Sequence, residues 1–197
     1  MINIDIIQNP YTKKKLYKKN KFSFENGVTI LVGRNGIGKS TLLHQIKSFC
    51  DNNNIKNYSY DNYREGGQNA HSYYGFKEDF TSLANTLFHS EGEQIYYNLG
   101  QNISRIGNFI KNNKEEKQLF ILLDALDSGL DCEGFAQINN LFKIMQNDFD
   151  GELYIILSAN NYGLVEGNNC FDVKKCKYIN IKCYNDFKNF IFAQYKN

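Results

Sequence analysis

Residues 28–43 read VTILVGRNGIGKSTLL, and the fold is decided by how this stretch is interpreted. Val28 to Val32 is a short apolar run with β-branched residues that stops at a glycine, the pattern of a buried strand. The eight residues from Gly33 to Ser40, GRNGIGKS, then fit G-x-x-x-x-G-K-[ST] at every required position. Leu42, Leu43, Ile46 and Phe49 follow at helical spacing, so the loop lies between a strand and a helix. Gly33, Gly36 and Gly38 let the backbone turn its N–H groups inward as a nest for phosphate oxygens, with Asn35 among the residues meeting the ligand. The start of the helix adds free donors and a partial positive charge. On this reading Lys39 reaches the β- and γ-phosphates, Ser40 ligates Mg²⁺ and Thr41 donates to the α-phosphate. The expected ligand is a nucleoside triphosphate.

A chain of 197 residues is expected to form one domain over 1–197, long enough for a real core. A net charge of +2 argues neither for nor against nucleic acid. No apolar run has the length of a membrane span and no signal-peptide pattern opens the chain, so no membrane insertion is expected. The five cysteines are scattered, and the spacing of Cys170, Cys176 and Cys183 suits neither zinc nor an obvious disulfide. Free thiols in a reducing cytoplasm follow.

Around the loop, Ile2, Ile4 and Ile6 alternate with polar residues, as do Phe22 and Phe24, giving antiparallel N-terminal strands. Asn26-Gly27 predicts a tight turn into the strand at Val28. The lysine-rich run from Lys13 to Lys21, with Tyr17 interleaved, is either a contact for nucleic acid phosphates or a solvated hairpin edge. Residues 58–63 suggest a strand, 64–76 a loop, and Phe80 to Phe88 a helix. Gln68 in that loop is a candidate nucleotide or metal sensor, or an ordinary polar loop residue. Ser90-Glu91-Gly92-Glu93-Gln94 precedes a helix whose apolar face is Ile95, Leu99, Ile103, Ile106 and Ile110. Ser90 and Glu93 also have the spacing of a capping box.

Leu119 to Leu123, LFILL, is fully apolar, as befits a central parallel strand, and ends in Asp124, where a carboxylate can hold Mg²⁺ through its water shell. A loop leads to a helix marked by Phe135, Ile138, Leu141, Phe142 and Met145. Leu153 to Leu157, LYIIL, is a third buried strand ending at Ser158. Cys170 to Val173 and Tyr178 to Ile181 read as a hairpin, and Asn185 as the cap of a last helix with Phe187, Phe190, Ile191 and Gln194 to Tyr195 on its apolar face.

In this order the motifs resemble those of the ABC-type ATPases, from about Phe22 to Asn161. GRNGIGKSTLL looks like that family's phosphate loop, SEGEQ at 90–94 is similar to its signature in the soluble Rad50/RecF/SMC-like form, and LFILLDALDSGLD resembles its Walker B strand and D-loop, closing on Ser128, Gly129, Leu130 and Asp131. The resemblance implies an α/β P-loop fold with a mostly parallel central sheet flanked by helices, and ATP and Mg²⁺ as cofactors. It also implies a head-to-tail homodimer with two ATP molecules at its interface. Ser90, the backbone of Gly92, and Glu93 of one copy would then complete the site built on Lys39 of the other.

Two departures bear on hydrolysis. The family's glutamate after the Walker B aspartate is Ala125 here, and its switch histidine falls at Asn160. Asp127 is the nearest carboxylate able to act as base, or it only caps its loop. The chain has no heptad run for a coiled coil, and its signature is further from LSGGQ than that of a transporter subunit. The expected chemistry is ATP hydrolysis that drives or gates an unknown protein partner. The alternatives are an ATP-gated switch with negligible turnover, and a transporter's nucleotide-binding subunit.

Overall fold

The computed structural model describes residues 1–6, 16–62, 91–127 and 130–195, the side chains of 91–95 excepted. The expectations for the loop at 64–76, Gln68, the helix at 80–88, the Ser90–Glu93 capping box, Lys13 to Lys15, Ser128 and Gly129 lie outside the described residues.

Two apolar runs form the middle of the sheet. LFILL lies within β5 (Gln118–Asp124) and LYIIL within β6 (Glu152–Ser158), and both strands are buried along almost their whole length. A run with no polar alternation can only be satisfied between two covered faces, as in a parallel sheet. β3 (Gly27–Val32), β4 (Asn57–Asp61), β7 (Asn169–Asp172) and β8 (Lys177–Ile179) complete the order β4-β5-β6-β3-β7-β8. Every pairing in it is parallel except β7 with β8.

Side chains alternate between two cores. Val28, Ile30, Val32, Leu119, Ile121, Leu123, Leu153, Ile155 and Leu157 face one side. Contributions come there from α2 (Glu91–Asn112), α3 (Cys132–Asn147), the short α4 (Tyr162–Val165) and α5 (Tyr184–Tyr195). Leu31, Phe120, Leu122, Tyr154 and Ile156 face the other side, under α1 (Lys39–Asn52) and a separate ribbon of β1 (Ile2–Asp5) with β2 (Lys21–Phe24). Phe22 and Phe24 of the ribbon meet Phe171 of β7 at ring separations of 5.8 and 5.0 Å.

Asn26-Gly27 turns the chain from the ribbon into the sheet, with Gly27 at φ 108°; among the described residues β2 pairs with β1 alone, and both edges of β3 are filled by β6 and β7. The 170s hairpin is present, and its first strand also joins the main sheet in parallel with β3. Two sequence expectations need correction. Tyr17 does not share a surface with the lysines; it is buried, its ring 5.2 Å from that of Phe22, while Lys18, Lys19 and Lys21 are exposed. The last helix begins before Asn185; Asp186 Oδ2 accepts from the Lys182 N–H at 3.1 Å, and Tyr195 points to solvent.

The thiols follow the core. Burial pushes Cys50 up to about 12 and Cys170 up to about 11 from an ordinary 9.0, whereas Cys132 and Cys183 are exposed. The folded chain thus keeps protons that the unfolded chain releases near pH 9, so this contribution to stability is full below pH 9 and fades as pH rises through the folded values. The melting temperature should fall from pH 9 to pH 11, and less steeply in Cys50→Ala; equal slopes in a calorimetric pH series would contradict this assignment.

Candidate functional site

Parallel pairing aligns the strand ends. Val32, Asp124, Ser158 and Asp172 all lie at the carboxyl ends of their strands, so the loops that follow gather on one edge, the usual place for a ligand in such a sheet. The loop after β3 is the glycine-rich one. Gly38, at φ 102° and ψ 23°, opens α1 in a left-handed conformation with no side-chain cap, and α1 carries no acid in its first turn. By contrast α3 is capped by Asp131, which accepts from the Gly134 N–H at 2.9 Å, and has Glu133 in its first turn. The start of α1 thus leaves donors and positive potential for a ligand.

The loop is held from both sides. Below it, Tyr17 Oη donates to the Gly38 carbonyl at 2.8 Å, and a Cβ at Gly38 would come within 3.1 Å of that oxygen. Beside it, Gln194 Oε1 accepts from the Arg34 N–H at 2.9 Å, and the Arg34 guanidinium sits 5.6 Å over the Tyr195 ring. Tyr17 and Gln194 could not be read from the motif, because both come from far away in sequence. Their one local trace is a polar Gln194 on the apolar face of the last helix.

Lys39 is 8% exposed, and its ammonium donates to the carbonyls of Gly33 at 2.7 Å and Arg34 at 3.4 Å. Burial lowers its pKa from the ordinary lysine value, opposed by the charges of Asp127 and Asp124. The cation is therefore taken from water with no ion pair among the described residues.

Across from the loop, Asp124 and Asp127 do different work. Asp124 Oδ1 accepts from the Ser158 hydroxyl, and the same hydroxyl accepts from the Ala125 N–H at 2.9 Å. Ala125 is buried at φ 52°. Asp127 Oδ2 accepts from the N–H groups of Asn160 at 2.5 Å and Asn161 at 2.7 Å, tying the loop after β5 to the loop after β6.

A cavity of about 400 Å³ brings these parts together. Asn35, Gly36, Gly38, Lys39, Ser40, Thr41 and Asp124 line it, joined by Leu16, Ala125, Ser158 and Asn160. Gly33 and Asp127 do not line it; Gly33 borders a neighbouring cleft of about 250 Å³ against α5, which shares Asn35 and Asn160 with the first. Gly92 and Glu93 fall in the first turn of α2. The donor set suits a polyphosphate with a hard cation: an uncapped helix start, a buried ammonium, and a hydroxyl and a carboxylate on one cavity, Ser40 and Asp124.

Solved structures share the fold. A nucleotide-free ATP-binding cassette from an ABC transporter aligns over 95% of this chain and 93% of its own, at a TM-score of 0.53 and 14% identity. The protein cbiO1 from Clostridium perfringens, part of the ABC transporter complex cbiONQ, aligns over 98% and 91%, at 0.50 and 18%. The fold is that of an ATP-binding cassette. No protein-family model matches the chain, and no curated protein does. No helix among the described residues is long and apolar enough to cross a membrane.

Lys39→Met tests the electrostatic account of the glycine-rich loop. The lowered pKa means that the ligand-free fold disfavours this charge, so the substitution should leave the melting temperature equal or higher. Any binding of a nucleoside triphosphate in the cavity should weaken by roughly 100-fold, the loss of about two charge-assisted hydrogen bonds. A markedly lower melting temperature would show that the ammonium is instead a net stabilising group.

Proposed function

We propose that this protein binds ATP with Mg²⁺ in the phosphate-loop cavity. The observation that carries the reading is the uncapped start of α1 facing the same cavity as the Lys39 ammonium and the Asp124 carboxylate. Ser40 and Asp124 would hold Mg²⁺, which supplies charge stabilisation at the transferring phosphoryl group. Lys39, Thr41 and the loop amides would bind and orient the phosphates.

The proposal extends to a head-to-tail homodimer closed by ATP. The signature-like residues Ser90, Gly92 and Glu93 of one copy would meet the γ-phosphate held by the other, and ADP, lacking that phosphate, would leave the halves apart. A single domain over 1–197, with no heptad run in its sequence, would suit a compact Rad50/RecF/SMC-like ATPase of the cytoplasm that drives or gates a protein partner.

Hydrolysis in this reading is slow. Position 125 offers a methyl group where a base would stand, and Asp127, the candidate to position water, has one carboxylate oxygen already taken by two amides. That commitment favours the ATP-gated switch as the second reading. One structural neighbour comes from an ABC transporter and another is part of the ABC transporter complex cbiONQ, which keeps a transporter subunit as a third. Co-purification with a membrane protein would favour it.

The first experiment is solution mass by light scattering without nucleotide, with ATP–Mg²⁺ and with ADP–Mg²⁺, following phosphate in the same samples. The expected result is a dimer with ATP alone that decays slowly as phosphate accumulates, and that outlasts the wild-type dimer in Asp127→Asn. An ATP dimer that releases no phosphate would establish the switch. A monomer in all three states would remove the signature-based dimer.

A further inference from the structure

Ser158 ends β6 and is 2% exposed, yet nothing in the phosphate-loop or Walker B patterns points to it. Its hydroxyl is engaged on both sides. A backbone N–H can only donate, so at Ala125 the Ser158 oxygen is the acceptor. The hydroxyl has one proton, and its remaining partner is Asp124 Oδ1. The direction of the chain is thereby set: Ala125 N–H gives to Ser158, and Ser158 gives to Asp124. Both groups at its ends are buried, and Ala125 holds a left-handed backbone that residues with a Cβ adopt at a cost.

We propose that Ser158 is the positioning residue that aims Asp124 at the Mg²⁺ of bound ATP. By occupying Oδ1 it fixes the carboxylate plane and leaves the second oxygen for the metal's shell, on the cavity that Ser40 shares. By accepting from Ala125 the hydroxyl is left with its single proton for Asp124 Oδ1, which ties that aim to the turn after β5. Hydrogen-bonding partners of metal-binding carboxylates act in this way, orienting a ligand without touching the ion. The inference rests on the Mg–ATP reading above.

The test is calorimetric binding of ATP in EDTA and across a Mg²⁺ series. In Ser158→Ala the Mg²⁺ concentration giving half of the metal-dependent tightening should rise roughly 10-fold or more. Affinity in EDTA should stay unchanged, because the loop and Lys39 are untouched. Ser158→Thr, which restores the hydroxyl, should return the midpoint to the wild-type value. An unmoved midpoint in Ser158→Ala overturns the inference, as does an equal loss with and without Mg²⁺, the mark of a purely structural role. If Ser158→Ala does not fold, Ser158→Cys, with its weakly donating thiol, should shift the midpoint in the same direction, and a wild-type midpoint there overturns the inference equally. A wild-type chain that binds no ATP overturns the nucleotide reading and this inference together, whereas binding whose metal dependence ignores Ser158 overturns this inference alone.

Discussion

The site depends on β6 lying between β3 and β5 and pairing in parallel with both. Leu31 is registered with Ser158 and Leu123 with Leu157, so the phosphate loop, Asp124 and Ser158 emerge from neighbouring strand ends. The β3–β6 pairing joins segments well over a hundred residues apart, and β6 can sit between two strands because it is apolar on both faces. A polar residue in the middle of LYIIL would be carried into one of the two cores unpaired, where such a group costs about 1–3 kcal/mol. The same hydrophobic requirement that makes β6 central brings Ser158 to the end of Asp124.

Preorganisation of the loop follows from packing, not from a ligand. Tyr17 supports Gly38 from the ribbon side, and Gln194 holds the Arg34 amide from α5. A loop so braced places its N–H groups without ordering them at the moment of binding, and affinity benefits from that saving. The buried ammonium of Lys39 stores the opposite effect. It has given up water for two carbonyls, and phosphate oxygens would replace that poor environment with a strong one.

Much of this was legible in the sequence, for a physical reason. A run such as LFILL can be covered on both sides only in a sheet interior, and a glycine-rich turn ending in Lys-Ser has few uses other than holding phosphate. Those features are local, so the three core strands, the loop, α1 and Asp124 were found where expected. What was missed depends on partners distant in the chain. The run NCFD of β7 gives no sign that it pairs with β3, and nothing around Asn26-Gly27 tells that both edges of β3 are already occupied. Tyr17 among lysines looks solvated until the ribbon folds it under Gly38. Ser158 looks like the polar end of a strand, and only the β5–β6 register makes it a bridge.

The two aspartates after β5 show how position, not residue type, assigns their roles. Asp124 ends the strand and faces the cavity with one oxygen tied to Ser158; Asp127, one turn further on, is bonded to the backbone of Asn160 and Asn161 and stands off the cavity wall. A carboxylate that staples two loops together is hard to free for proton transfer, since moving it would release both amides. The alanine between β5 and this staple is compatible with the arrangement because a small side chain fits the buried left-handed turn. The loops that follow β5 and β6 are therefore joined as one unit through the Asp127 carboxylate.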